Sequence, residues 1–237
     1  MPPTTNHLGQ PIGFAVPDWV PAQRPPRAPM VGRRCRVEPL DVARHADDLF
    51  AAYGEDREAR IWTYLPYGPF ETRAAFEDWI TAACRGEDPL FHAIVEATSG
   101  RALGVASYLR VVPTAGVIEV GHINYAPALQ RTAAATEAMY LMMGRVFEEL
   151  GYRRYEWKCD ALNEASRRGA ERFGFVFEGL FRQATMYKSR NRDTAWYAIT
   201  DRDWPALKRS YEAWLDPANF DAAGRQNARL SELAARD

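Results

Sequence analysis

Two side chains with acid–base capacity stand three residues apart in the β-branched run Val117–Ile123: Glu119 and His122. A glutamate works as a base near neutral pH once its surroundings raise its pKa, whereas histidine titrates near ~6.5 without help. In a regular strand the two would project to opposite faces. A little further on, Gln130-Arg131-Thr132-Ala133-Ala134-Ala135-Thr136 opens a stretch free of Gly and Pro to Met143. Ala135, Met139, Met142, Val146 and Leu150 recur there at spacings of three and four, which predicts a helix with one buried face. A helix start exposes about four unpaired amides and a partial positive charge, so it attracts phosphate. Small side chains at that start let a pyrophosphate approach the backbone. A third candidate is Ser166. If Asn163 is the N-cap of a helix over 164–173, the serine falls in its first turn. Each candidate has a plain structural alternative: a well-packed helix start, hydrogen-bonded strand residues, a cap and nothing more. No Ser/His/Asp or Cys/His spacing suggests a covalent nucleophile, and Cys159, in mid-strand, reads as a small core residue.

The spacing from Gln130 through Ala133 to Ala135 resembles the acyl-CoA signature Q/R-x-x-G-x-G/A of the GNAT superfamily, with Ala133 in the first glycine's place. The likeness continues through Asp160-Ala161-Leu162-Asn163-Glu164-Ala165-Ser166 and Glu171-Arg172-Phe173-Gly174-Phe175. Over roughly residues 32–205 the chain is similar to the ribosomal-protein N-terminal acetyltransferase (Rim-type) branch of that superfamily. The resemblance implies an N-acyltransferase. It would move an acetyl or other short acyl group from acetyl-CoA, or another short acyl-CoA, to a primary amine by direct attack. It implies that Arg131, Thr132, Ala133, Ala134, Ala135 and Thr136, with Gln130 before them, hold the pyrophosphate. Ile123, Asn124 and Tyr125 would offer backbone groups to the pantetheine along a splayed strand edge, and Asn163 would hold that arm or only its own cap. Ser166 would donate to the departing thiolate. Glu119 resembles the family's base, often acting through a water. Because the family's strand carries a bulge that shifts parity, the choice between Glu119 and His122 stays open. The aromatic segment Ile61–Phe70, with Trp62, Tyr64 and Tyr67, would border the acceptor or else simply pack the helix pair, and the basic turn Lys188–Asp193 is either solvated or borders the acceptor too. Aromatic walls with few charges favour an apolar or aromatic amine over a polyamine. The acceptor is either a protein N-terminus or a small amine. A non-catalytic acyl-CoA sensor would share the same phosphate loop, whereas a Rossmann domain needs a G-x-G-x-x-G run that is absent.

These residues need a scaffold, and the pattern supplies one. Strands are predicted at Arg33–Leu40, Leu90–Ala97, Ala102–Val112, Val117–Tyr125, Tyr152–Cys159, Phe175–Tyr187 and Thr194–Thr200. Helices are predicted at Val42–Tyr53 after an Asp41 cap, from Thr72 onward, and at Trp204–Leu215 and Asp221–Ala235. The order gives an α+β (α/β/α) fold: a mixed, mostly antiparallel sheet with helices on both faces. Residues 1–29 carry eight of the sixteen prolines and form a Pro-rich extended arm. Residues 30–205 form the acyltransferase domain and 206–237 a helical extension. The chain of 237 residues is 47% apolar, enough for a real core, and its net charge of −1 argues against nucleic acid and anionic membranes as partners. Three scattered cysteines predict neither disulfides nor zinc, and no metal is expected. No run reaches the ~18 apolar residues of a span, so a cytoplasmic protein is expected. A homodimer is compatible with all of this.

Overall fold

The computed structural model describes residues 4–234. A short exposed hairpin, β1 (Thr4–Thr5) and β2 (Pro11–Ile12), opens the chain within the segment expected to be an extended arm. The main sheet has eight strands: β3 (Met30–Val31), β4 (Cys35–Pro39), β5 (Leu90–Glu96), β6 (Ala102–Val112), β7 (Val117–Tyr125), β8 (Arg154–Asp160), β9 (Val176–Tyr187) and β10 (Arg190–Thr200). Their spatial order is β3-β4-β5-β6-β7-β8-β10-β9, antiparallel throughout except for the parallel pair β7/β8. The helices are α1 (Val42–Tyr53), α2 (Arg73–Arg85), α3 (Ala133–Gly144, continued by a π turn over Arg145–Glu149), α4 (Glu164–Arg172), α5 (Trp204–Leu215) and α6 (Leu230–Ala234).

Side-chain oxygens start the helices. Asp41, Thr72, Thr132 and Asn163 accept hydrogen bonds from the amides of Arg44, Ala75, Ala135 and Ser166. The sheet is covered on both sides, as adjacent residues of β5 show. Phe91 packs edge-on against Trp79 of α2 at 5.9 Å, whereas His92 packs against Tyr108, whose hydroxyl donates to the Met142 carbonyl of α3. Helices α1 and α2 therefore cover one face and α3 the other. Tyr155 of β8 packs against Tyr108, and its alternate neighbour Trp157 meets Phe173 beside α4, so α4 shares the face of α3. Helix α5 joins them through stacked Tyr140 and Tyr211, with the Tyr211 hydroxyl on the Phe173 carbonyl.

Two expectations are corrected. The predicted helix over Asp221–Ala235 begins only at Leu230; Asp221 instead builds a turn, its carboxylate accepting from the amides of Ala223 and Arg225, and Gly224 takes φ +75°. (Ala235 lies outside the described residues.) The hairpin turn expected over Lys188–Asp193 is shorter: β10 already begins at Arg190, so Arg192 is a strand residue. Among the described residues no helix is long and apolar enough to cross a membrane.

The arm is strapped down along its second half. The Trp19 indole donates to the Thr114 carbonyl, the Ala22 amide to Pro113, and the buried Arg145 guanidinium to the carbonyls of Ala28 and Pro29. Where the arm enters β4, Glu137 of α3 accepts from three successive amides, Arg33 at 3.0 Å, Arg34 at 2.6 Å and Cys35 at 2.9 Å. A Cβ at Gly32 would run into the Glu137 carboxylate, so a larger residue there would have to displace that side chain from its three amides.

Candidate active site

Strand β7 is where the sheet opens. Its pairing with β8 runs from Val117/Arg154 only to Val120/Trp157, so Gly121–Tyr125 has no partner on that side among the described residues. On the other side its register with β6 slips between Val105/Asn124 and Ser107/Gly121, His122 and Ile123 of β7 opposing the single Ala106 of β6. That is a bulge, and His122 sits in it with φ +50°, in the left-handed region. Regular alternation would send Glu119 and His122 to opposite faces. The bulge turns His122 back to the side where Phe91, Trp79 and Tyr67 lie, which is also the side of Glu119.

A cavity of about 820 Å³ fills the fork, within the usual range for small-molecule sites. Glu119, His122, Ile123, Gln130, Tyr64, Asn163 and Ser166 all line it. It passes through the sheet. Trp157, Cys159 and Ser166 bound it on the α3/α4 side, while Glu119, Lys158 and Trp196 bound it on the α1/α2 side.

On the α3/α4 side, Asn163 caps α4 as its spacing predicts, holding the Ser166 amide at 3.1 Å. The Ser166 hydroxyl oxygen accepts the indole N–H of Trp157 at 3.0 Å, which leaves its own proton to be donated elsewhere. Burial pushes the neighbouring Cys159 thiol up, with Ser166 opposing, so the thiol stays protonated. At the start of α3, Arg131 takes φ +61° and Thr132 caps Ala135. The amides of Arg131, Ala133 and Ala134 have no acceptor among the described residues. Ala133 is half-buried, whereas Ala134, Ala135 and Thr136 are buried, their side chains packed inward.

On the other side, Glu119 is buried between two cations, Arg110 at 2.8 Å and Lys158 at 2.9 Å. Burial raises its pKa, and the charges of Lys158 and Arg110 oppose that rise. His122 is held down to about 4, by burial first and then by the charges of Arg110 and Arg192, so its ring is neutral at pH 7. Its Nδ1 meets the Tyr67 hydroxyl at 3.1 Å, and the two rings stack with centroids 5.6 Å apart.

Of the three aromatic residues expected on the acceptor wall, only Tyr64 lines the cavity, its hydroxyl on the Leu162 carbonyl. Tyr67 stands behind His122, and Trp62 is core, packed edge-on against Tyr53 and Phe70. The carbonyls of Asn124 and Tyr125, expected along the splayed edge, are already engaged by the Tyr53 hydroxyl and the Gln130 amide. Sequence reasoning missed Arg110, Lys158 and Trp157; of the basic turn that was to be solvated or to border the acceptor, Arg192 lines the cavity. The expected scarcity of pocket charge is also overturned, since Arg60, Arg110, Glu119, Lys158, Asp160 and Arg192 line the cavity. Alternation along β8 and β10 carried the signal, because Lys158 and Trp196 are direct cross-strand partners with the ammonium 3.7 Å from the ring centre.

The acetyltransferase (GNAT) domain family matches residues 34–176. The chain is similar to the crystal structure of a GCN5-related N-acetyltransferase from Brucella melitensis, with 48% identity, 93% of this chain and 100% of that one covered, and a TM-score of 0.91. A GNAT-family structure from Chromobacterium violaceum is 41% identical over 83% of this chain and 98% of its own, with a TM-score of 0.76. RimL, a ribosomal L7/L12 α-N-protein acetyltransferase solved with coenzyme A, shares the fold at 18% identity, covering 73% of this chain and 97% of its own, with a TM-score of 0.61. The search of curated proteins gives no match. With a matched domain spanning more than half of its length, this chain belongs to the GNAT acetyltransferase family, enzymes that use acetyl-CoA.

Proposed function

We propose that the protein transfers an acetyl or other short acyl group from acyl-CoA directly to a primary amine. The thioester would enter from the α3/α4 face and the amine from the α1/α2 face. The observation that carries this reading is the cavity through the sheet at the β7/β8 fork, with a hydroxyl donor on one side and a carboxylate on the other. The free amides of Arg131, Ala133 and Ala134, at the positive end of α3, suit the pyrophosphate. Ser166 donates a hydrogen bond from its hydroxyl to the sulfur as it becomes a thiolate, its oxygen already held by the Trp157 indole.

Glu119 takes the amine's proton, directly or through a water. Its raised pKa suits that task better than an ordinary glutamate's would. His122 has a different part. The Tyr67 hydroxyl has no acceptor among the described residues other than His122 Nδ1, so it donates there, and the ring proton sits on Nε2. A neutral ring with its N–H free is a hydrogen-bond donor, suited to the acyl carbonyl oxygen on which charge develops. The likeness to RimL supports a peptide N-terminus as one acceptor class within this reading, small amines being the other. The test is CoA release from acetyl-CoA across a panel of small amines and N-terminal peptides. Binding of CoA with no release above the buffer rate for any acceptor would favour a non-catalytic acyl-CoA sensor.

A further inference from the structure

The cations of the cavity are not equivalent. Arg60 is paired with Glu58, Arg110 with Glu119, and Lys158 with both Glu119 and Glu156. Arg192 lines the same cavity, is half-buried, and its side chain has no hydrogen bond or ion pair among the described residues. Its Nε is sealed from solvent without an acceptor. The Trp196 indole N–H is in the same condition. These two donors and Thr194 alternate along β10, so all three face one way, and the bulge opposite them lies in β9 and leaves that alternation intact. Trp196 opposes Lys158, and Thr194 opposes Asp160. Arg192 therefore stands on the face of Glu119 and Lys158, opposite the face of Ser166 and the start of α3. Its charge acts on His122, Cys159 and Tyr187, which line the same cavity.

A guanidinium whose Nε is sealed from solvent with no acceptor among the described residues, and an indole N–H in the same condition on the same face of β10, suit a planar anion with two oxygens. We infer that Arg192, aided by Trp196, anchors a carboxylate on the acceptor, so that the amines acylated here are those that also bear a carboxylate, the amino-acid class. The inference rests on the acyl-transfer reading of this cavity. Phe181, stacked on Trp196 at 4.3 Å, and Tyr64 line the cavity beside the anchor and would meet the apolar part of such an acceptor. A dicarboxylic acyl chain would present the same group from the thioester side, and the experiment separates the two sources.

The probes are acetylated products, which bind without turnover: N-acetylphenylalanine against N-acetylphenylalaninamide, each titrated in the presence of CoA while the Arg192 Nε–H resonance is followed by NMR. The carboxylate should bind at least about 10-fold tighter than the amide and shift that resonance, as one charge-assisted pair would. In Arg192→Gln the preference should vanish, with CoA affinity by calorimetry unchanged. Equal binding of the two probes, a preference that survives Arg192→Gln, or an unmoved Nε–H resonance would each overturn the assignment. So would Arg192→Gln weakening succinyl-CoA relative to acetyl-CoA while sparing the probes, since the anchor would then serve the acyl group. Failure of CoA itself to bind would instead count against the acyl-transfer reading.

Discussion

Ser166→Ala separates chemistry from packing, because the serine makes two different bonds. Its amide satisfies the Asn163 cap at 3.1 Å, and that bond survives truncation. Its hydroxyl oxygen accepts from the buried Trp157 indole at 3.0 Å, and that bond is lost. An orphaned buried donor costs about 1–3 kcal/mol. In a chain of this size each kcal/mol lowers Tm by roughly 2–4 °C, so a fall of several degrees is expected. The catalytic effect is separate. A CoA thiolate leaves poorly at neutral pH, since a free thiol titrates near ~8.5. Losing one hydrogen bond formed in the transition state costs about 10²-fold in turnover, roughly 3 kcal/mol. The kcat for CoA release should therefore drop about 10²-fold with KM for acetyl-CoA little changed, because the bond matters as the thiolate forms. Ser166→Thr keeps a hydroxyl on the same carbon and should recover most of the rate. The assay is steady-state CoA release beside a thermal melt of the same preparation. A lowered Tm with kcat within a few-fold of wild type would reduce Ser166 to a packing residue.

Ala133→Glu adds a carboxylate beside the free amides of α3 at a half-buried position, so the helix should persist while CoA affinity by calorimetry falls at least about 10-fold; unchanged affinity would move the pyrophosphate elsewhere. Glu119→Gln should lower kcat by about 10²-fold or more and abolish the acidic limb of the rate profile, which in the wild type rises with pH through a pKa above the ordinary glutamate range. A limb that persists in the variant belongs to another group. In Tyr67→Phe, long-range nitrogen NMR of the imidazoles should show His122 losing its preference for the Nε2–H form. A ring already protonated on Nδ1 in the wild type would contradict the donor role. Folding stability should fall as pH drops from ~6.5 to ~4. His92 and His122 are both held down to about 4, so in that window the unfolded chain takes up protons that the folded chain refuses. The loss approaches roughly 3 kcal/mol per ring at full extent. Urea unfolding that is flat between about pH 7 and about pH 4.5 would show that neither ring resists protonation in the fold.

Much of this architecture is local and was readable. Asp41, Thr72 and Asn163 cap the helices that their spacing announces, and α1 spans Val42–Tyr53 as predicted. Glu119, His122 and Ser166 also meet in one cavity. What sequence could not give is the parity of β7, since a bulge leaves no compositional mark when a histidine rather than a glycine takes the positive φ. Arg192 was hidden for a related reason. Among Lys188, Arg190 and Arg192 nothing in the sequence separates a solvated turn charge from one bordering the acceptor, and only the pairing of β10 with β8 and β9 reveals Arg192 as a strand residue facing inward. Aromatic density marks a site and a core alike, and the sequence offers nothing to separate Tyr64, on the cavity, from Trp62 and Tyr67, which pack behind it.

The grip of Glu137 on the amides of Arg33–Cys35, and of Arg145 on the carbonyls of Ala28 and Pro29, bears on how this protein can be cut. An expression boundary drawn at the matched domain, residues 34–176, looks natural on a sequence diagram. It would strip Arg145 of both carbonyls and Glu137 of its first amide, leaving buried charges at either end of the helix whose first turn faces the fork. It would also remove β10, and with it the strand that flanks β8. The segment before residue 34 is thus a wedge that holds α3 to the sheet, and trimming it for crystallisation or fusion would loosen the fork from behind, some hundred residues away in sequence.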